Sequence, residues 1–213
     1  MSDESRKSPP GAGLSRRGFL KGVSTGLVGS AALADGLLGQ TAAGGAPKAA
    51  IRGQDIETAV VSMTVNGKKY TAEVETRLTL LDLLREKFEL TGTKSVCRMG
   101  ECGACTVILN GRTVYACMML AVEADGATIE TIEGLAKDGK LHPLQDGFIK
   151  HDAYQCGFCT PGFEMSLKDL LDKNPNPSLE QIKHGLSGNV CRCGAYPHIF
   201  NVAVELAGKK GGR

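Results

Sequence analysis

The sequence predicts an α+β protein in two parts, a strand-rich first domain followed by an all-helical second, and three observations carry that prediction. Two Asn-Gly pairs, at 66–67 and 110–111, each sit between short runs of alternating apolar and polar residues, the pattern of β-hairpins. From Pro143 onward apolar residues recur every three or four positions instead, with Pro and Ser placed where helices begin. The eight cysteines, Cys97, Cys102, Cys105, Cys117, Cys156, Cys159, Cys191 and Cys193, form two groups of four, one in each part.

Residues 1–50 read as a leader and linker. Ser15-Arg16-Arg17-Gly18-Phe19-Leu20-Lys21, followed by a mildly apolar run from Gly22 to Ala34, resembles a twin-arginine export signal and predicts a periplasmic, bacterial location. The run is too short and too rich in Gly and Ser to span a bilayer stably. Ala32-Leu33-Ala34 and the Ala/Gly-rich stretch 41–50 both offer cleavage points.

The first domain is placed at 55–134. Val61, Met63 and Val65 alternate with polar residues up to Asn66-Gly67, and Tyr70, Ala72 and Val74 continue on the return strand. Thr79, with Asp82 three residues on, opens a helix whose face carries Leu80, Leu81, Leu83, Leu84 and Phe88. A loop with three cysteines follows. Thr106–Leu109 and Thr113–Cys117 form the second hairpin, and 127–129 adds a last short strand.

The second domain, 135–207, reads as four helices. Pro143–Asp152 is the first, and Thr160-Pro161 supplies an N-cap and first-turn proline for the second, with Phe163, Leu167, Leu170 and Leu171 as its apolar stripe. Ser178 and Gln181 make a capping box for the third. Pro197–Leu206 forms the fourth, burying Ile199, Val202, Ala203 and Leu206; the Gly/Lys tail 208–213 lies beyond it.

Composition excludes several functions. The chain has 213 residues and a net charge of +2, with six Lys/Arg against three Asp/Glu in the first fifty residues and a near-neutral body thereafter. Nucleic-acid binding would need a basic patch, which that body lacks. No nucleophile, paired carboxylates or phosphate loop stands out. His142, His151, His184 and His198 lack ligand spacing, and Met99, Met118 and Met119 read as soft apolar shielding beside cysteines. Glycine is 28 of 213, about twice the usual share, which points to tight turns and close backbone approaches.

Cys97, Cys102, Cys105 and Cys117 have the spacing C-x4-C-x2-C with a distant fourth cysteine, the plant-type arrangement for a [2Fe-2S] cluster. Gly100 and Gly103 allow backbone angles that turn amide N–H groups toward the sulfurs. Zinc knuckles usually begin with C-x2-C pairs, and three cysteines within nine residues are poorly placed for separate disulfides. The second group, Cys156-x2-Cys159 and Cys191-x-Cys193, suits either zinc or a cluster when taken alone. Each of its pairs precedes a predicted helix, whose positive end favours thiolates.

Three segments decide the family: Cys97-Arg98-Met99-Gly100-Glu101-Cys102-Gly103-Ala104-Cys105-Thr106-Val107, Gln155-Cys156-Gly157-Phe158-Cys159-Thr160-Pro161-Gly162, and Asn189-Val190-Cys191-Arg192-Cys193-Gly194-Ala195-Tyr196. They resemble the iron–sulfur subunit of the xanthine dehydrogenase/aldehyde oxidoreductase family of molybdenum hydroxylases, from about residue 59 to 206. Gly194-Ala195-Tyr196 stands where many relatives have Thr-Gly-Tyr, leaving the cysteines untouched.

The resemblance implies a β-grasp ferredoxin-like domain and a four-helix domain, each with one [2Fe-2S] cluster. It further implies a large partner subunit holding a molybdopterin cofactor, with Gln155 and Cys193 nearest the pterin. By the same resemblance, substrate oxidation, of an aldehyde or an N-heterocycle, belongs to that partner, and electrons are expected to pass by way of the Cys156/Cys159/Cys191/Cys193 group to the Cys97/Cys102/Cys105/Cys117 group and on to an FAD subunit, a cytochrome c or another acceptor. The alternative is a free-standing ferredoxin-like carrier.

Overall fold

Strand β1 (Thr58–Val65) turns back into β2 (Lys68–Glu75) through Asn66 and Gly67, both at positive φ (51° and 81°), the geometry of a tight two-residue hairpin. Val61, Met63 and Val65 face the core while the residues between them do not. This is a computed structural model; it describes residues 57–208. The twin-arginine stretch, its apolar run, the cleavage candidates and residues 209–213 lie outside the described residues.

The second hairpin pairs β3 (Thr106–Leu109) with β4 (Arg112–Tyr115) across Asn110-Gly111. The strand expected to reach Cys117 stops at Tyr115. There the Ala116 N–H donates to the Cys105 carbonyl, and a 3-10 turn over Ala116–Met118 tucks Cys117 back toward the cysteine loop. Strand β5 (Thr128–Glu130) runs parallel to β1 and antiparallel to β3, so it joins the hairpins into one sheet of order β2-β1-β5-β3-β4. With a helix packed on it, this is the β-grasp arrangement.

That helix departs from the expected regular one. A single turn, α1 (Leu80–Asp82), is capped by the Thr79 side chain, which accepts from the Asp82 N–H, and then widens into a π-helical stretch, Leu83–Lys87. Leu80, Leu81, Leu83 and Leu84 are all fully buried. Four leucines in five positions demand burial over a broader arc than one α-helical stripe supplies.

The second part consists of α2 (Pro143–Lys150), α3 (Thr160–Lys173), α4 (Leu179–Gly185) and α5 (Tyr196–Leu206). The Ser178–Gln181 box forms in both directions. His142 caps α2, its Nδ1 accepting from the Leu144 N–H at 3.2 Å. At α3 the expected cap is displaced by one residue: Cys159 occupies the N-cap, and Thr160 is already in the first turn with its hydroxyl buried. Helix α5 begins at Tyr196, because Pro197 occupies its first turn.

Two apolar cores result, one under the sheet around Met63, the leucines of α1 and Ile129, the other between the helices around Phe148, Phe163, Leu167 and Ile199. A third small cluster, Ile108, Leu135 and Met165, joins β3 to α3. The described strands and helices thus belong to one compact unit. Lys168 of α3 reinforces the junction by pairing with Glu130 of β5 at 3.0 Å.

Candidate metal centres

The first cysteine group is built by its own loop. Arg98 (φ 55°), Gly100 (φ 80°) and Gly103 (φ 66°) all take left-handed backbone conformations, curling residues 97–105 into a wrap. The amides of Met99, Glu101 and Cys102 bond the Cys97 sulfur, and the Met99 amide leads in holding that thiol down at about 6. Burial pushes the Cys105 thiol up to about 12. All four thiols, Cys97, Cys102, Cys105 and Cys117, lie close enough to act electrostatically on the Tyr115 hydroxyl, whose pKa is raised chiefly by burial.

Within this group the strongest side-chain interactions join the sulfurs two by two, with Cys102 acting on Cys105 as well. Cys97 and Cys102, partly exposed, are hydrogen-bonded through their side chains, as are the buried Cys105 and Cys117. A two-iron cluster takes two thiolates at each end, and paired thiols fit that demand.

The second group is assembled from distant segments. Cys159 caps α3, and Cys191 lies ahead of α5, whose N-cap Ala195 donates its N–H to the Cys191 sulfur at 3.4 Å. Burial works to raise the Cys191 thiol, but the Ala195 amide, the Cys159 side chain and the amides of Cys193 and Gly194 outweigh it, leaving the pKa lowered. Cys159, facing Cys191, is pushed up to about 12, mainly by burial. Cys156 acts on Cys159 electrostatically, while Cys193 approaches through its amide. The thiols of Cys156 and Cys193 belong to exposed residues, and Gln155 beside them is exposed as well.

The amide donors that lower the Cys97 and Cys191 thiols favour the thiolate form that a metal centre takes, since a coordinating thiol is deprotonated outright. Both groups therefore fit the clusters that the motifs imply.

What the motifs did not disclose is how tightly the two groups are tied. The Val190 N–H donates to the Cys102 carbonyl at 2.9 Å. Asn189 Nδ2 donates to the Gly103 carbonyl at 3.0 Å, and the Tyr115 hydroxyl donates to the Gly188 carbonyl at 2.8 Å. A Cβ on Gly162 would stand 2.2 Å from the Gly103 carbonyl oxygen, so only glycine lets α3 approach the first loop. The one sequence signal was the position of Gly162 and Asn189, each within four residues of a cysteine.

These features define a two-centre [2Fe-2S] electron-transfer protein, and the comparisons with known proteins agree. A family model described as a 2Fe-2S iron-sulfur cluster binding domain matches residues 63–134, and one described as a [2Fe-2S] binding domain matches 131–204. The chain is 46% identical over 164 residues to the aldehyde oxidoreductase iron-sulfur-binding subunit PaoA of Escherichia coli (strain K12), covering 70% of this chain and 72% of that protein. It is 52% identical over 147 residues to the nicotinate dehydrogenase small FeS subunit of Eubacterium barkeri, covering 69% and 93%. A chain of the crystal structure of quinoline 2-oxidoreductase from Pseudomonas putida 86 superposes with a TM-score of 0.69 at 44% identity, covering 70% of this chain and 93% of that one.

The chain belongs to the family of iron–sulfur subunits of the aldehyde oxidoreductase and xanthine dehydrogenase enzymes. It is an oxidoreductase subunit whose task is electron transfer.

Proposed function

We propose that this chain is the two-cluster subunit of an exported molybdenum hydroxylase, bound to a large molybdopterin subunit that oxidises an aldehyde or an N-heterocycle. Cys97, Cys102, Cys105 and Cys117 hold one [2Fe-2S] cluster, and Cys156, Cys159, Cys191 and Cys193 the other. When bound, such clusters supply one-electron redox chemistry. The residues of this chain hold the thiolates, exclude water from Cys105, Cys117 and Cys191, and fix the separation of the two groups.

The observation that carries the reading is the hydrogen bond from the Val190 N–H to the Cys102 carbonyl, which joins a cysteine of one group to the neighbour of Cys191 in the other. A route between two centres is what a relay requires. Gln155 and the exposed Cys193 lie on the side assigned to the pterin, so electrons enter there and leave beside Cys97 and Cys102, toward an FAD subunit, a cytochrome c or another acceptor. The Arg16-Arg17 stretch supports export of the folded, loaded complex to the periplasm. Among the described residues no helix is long and apolar enough to cross a membrane.

A permanent subunit is favoured over a transient carrier by the surface near the second group. Leu141, Ile149, Tyr154 and Phe158 are all exposed there, whereas a carrier docks through a small charged face. Gentle purification of the tagged chain from the periplasm of its host, with iron and molybdenum assays, tests the reading: about four irons per molybdenum together with a large chain supports it. Iron without molybdenum or a partner overturns it.

A further inference from the structure

Glu164 occupies the second turn of α3 and is 4% exposed, yet it makes no hydrogen bond or ion pair. Lys168, one turn further along the same helix, is engaged by Glu130 at 3.0 Å and Asp172 at 2.8 Å and leaves Glu164 alone. The carboxyl lines a groove of about 340 Å³ walled by Ile132, Leu141, Phe148, Ile149 and Tyr154. Thr160, one turn earlier, lines the same groove, and its hydroxyl is the one buried side-chain polar atom without a partner among the described residues. The Thr160 oxygen is sealed from solvent, whereas the Glu164 carboxyl oxygens keep an opening to the groove, so the carboxyl is the group an entrant can reach.

Burying a carboxyl without a donor costs free energy, and here desolvation alone pushes it up to about 7. A methionine or leucine would fill the same place at no such cost. The cost is recovered only if something enters the groove and donates to the carboxylate. Charge complementarity to the carboxylate and the apolar walls, broken only by Gln145, Thr160 and Tyr154, together point to an entrant with a positive charge on an apolar stem. A lysine or arginine side chain has both properties. The groove opens among the exposed Leu141, Ile149 and Tyr154, and Gly157 of the second cysteine loop is part of its wall. This is the side on which the proposed function places the large subunit.

We propose that the Glu164–Thr160 recess is the socket for a lysine or arginine side chain of the molybdopterin subunit, which pairs with the Glu164 carboxylate on assembly. This rests on the proposed function, which supplies the partner. The recess is then an assembly contact, separate from the cysteines, that makes the free chain less stable than it need be and the complex tighter.

The test compares wild type with Glu164→Gln and Glu164→Met, each co-expressed with the large subunit, and reads the dissociation constant of the complex and the melting temperature of the separately purified full chain. Breaking a buried charge pair weakens association by about 30-fold or more. Both variants should therefore dissociate more readily at unchanged iron content, while Glu164→Met melts about 2–4 °C higher than wild type as a free chain. Opposite signs in the two readouts support the socket, because a merely structural role would move both the same way. Complexes of Glu164→Gln and Glu164→Met as tight as wild type overturn the socket alone. A wild-type chain that purifies without a molybdenum-containing subunit overturns both the socket and the functional reading beneath it.

Discussion

The two cysteine groups solve the same problem by different means. The first takes three of its four thiols from nine consecutive residues, and its curvature comes from local left-handed conformations at Arg98, Gly100 and Gly103. Amides of that same loop hold the Cys97 thiol down at about 6. The second takes two thiols from one helix start and two from a segment ahead of another, with thirty-one residues between the pairs. Its amide donors, at Ala195, Cys193 and Gly194, lie on the α5 side, while the Cys159 thiol comes from α3. A site wound from one loop depends on local backbone conformation, whereas one built from two helix starts depends on the core that packs those helices. The first should therefore tolerate damage to the helical core that the second cannot.

The largest expected effect separates the groups outright. Cys193→Ser removes a thiolate from the second group only, so iron should fall from about four to about two per chain, with one reduced-state paramagnetic signal retained. Cys117→Ser should do the converse. Loss of both signals from either variant would show that the groups do not load independently.

Next in size is Gly162→Ala, which strikes the point where the groups touch. Alanine favours a helix over glycine by about 1 kcal/mol. The added Cβ, however, would stand 2.2 Å from the Gly103 carbonyl oxygen and 3.0 Å from Ala104 Cα, both backbone atoms that cannot swing aside. A net loss of about 2–3 kcal/mol is expected in denaturant unfolding. Because Gly103 moves with it, the first group's spectrum should shift as well, although the substitution lies in the helical part.

A smaller, pH-dependent effect belongs to the helical part alone. Burial raises the Glu164 carboxyl from 4.5 to about 7 in the folded chain. An acid whose folded pKa is raised contributes its full stability below the unfolded pKa and loses it as pH rises through the folded one. The isolated chain should lose up to roughly 3 kcal/mol between pH 4.5 and 7 from this group. Denaturant titrations at pH 5 and pH 8 would show it, and Glu164→Gln should flatten the difference.

The smallest expected effect is that of Tyr115→Phe, which deletes one hydrogen bond from β4 to the Gly188 carbonyl and leaves that carbonyl without its donor. About 1 kcal/mol is expected. If the tie matters to the relay, the rate of electron exchange between the groups will fall while iron content stays at the wild-type level.

Much of this was legible along the chain because it depends on short-range chemistry. Asn66-Gly67 and Asn110-Gly111 adopt the positive φ values that two-residue hairpins need. Ser178 and Gln181 close their box because both partners lie within one turn. Where local rules faltered, a longer-range demand had intervened. Thr160 does not cap α3, because Cys159 takes that place and the Thr160 hydroxyl is buried without a partner. The helix after Thr79 widens because four leucines must all reach the core under the sheet.

Glu164 shows the boundary most plainly. Along the sequence it reads as an ordinary charge at the edge of the Phe163, Leu167 and Leu171 stripe, and nothing in its spacing marks it. Only the packing of α2 and Ile132 against α3 removes its water and exposes the want of a donor. The sequence by itself determined the two hairpins, the helix-rich second half and the two sets of four cysteines, since turn angles, caps and thiol spacing are properties of neighbouring residues. The tertiary structure decided what lies between distant residues: the central place of β5 in the sheet, the closeness of Gly162 to Gly103, the Val190–Cys102 tie and the empty-handed carboxyl of Glu164. Those depend on which surfaces meet, and surfaces meet only when the whole chain has folded.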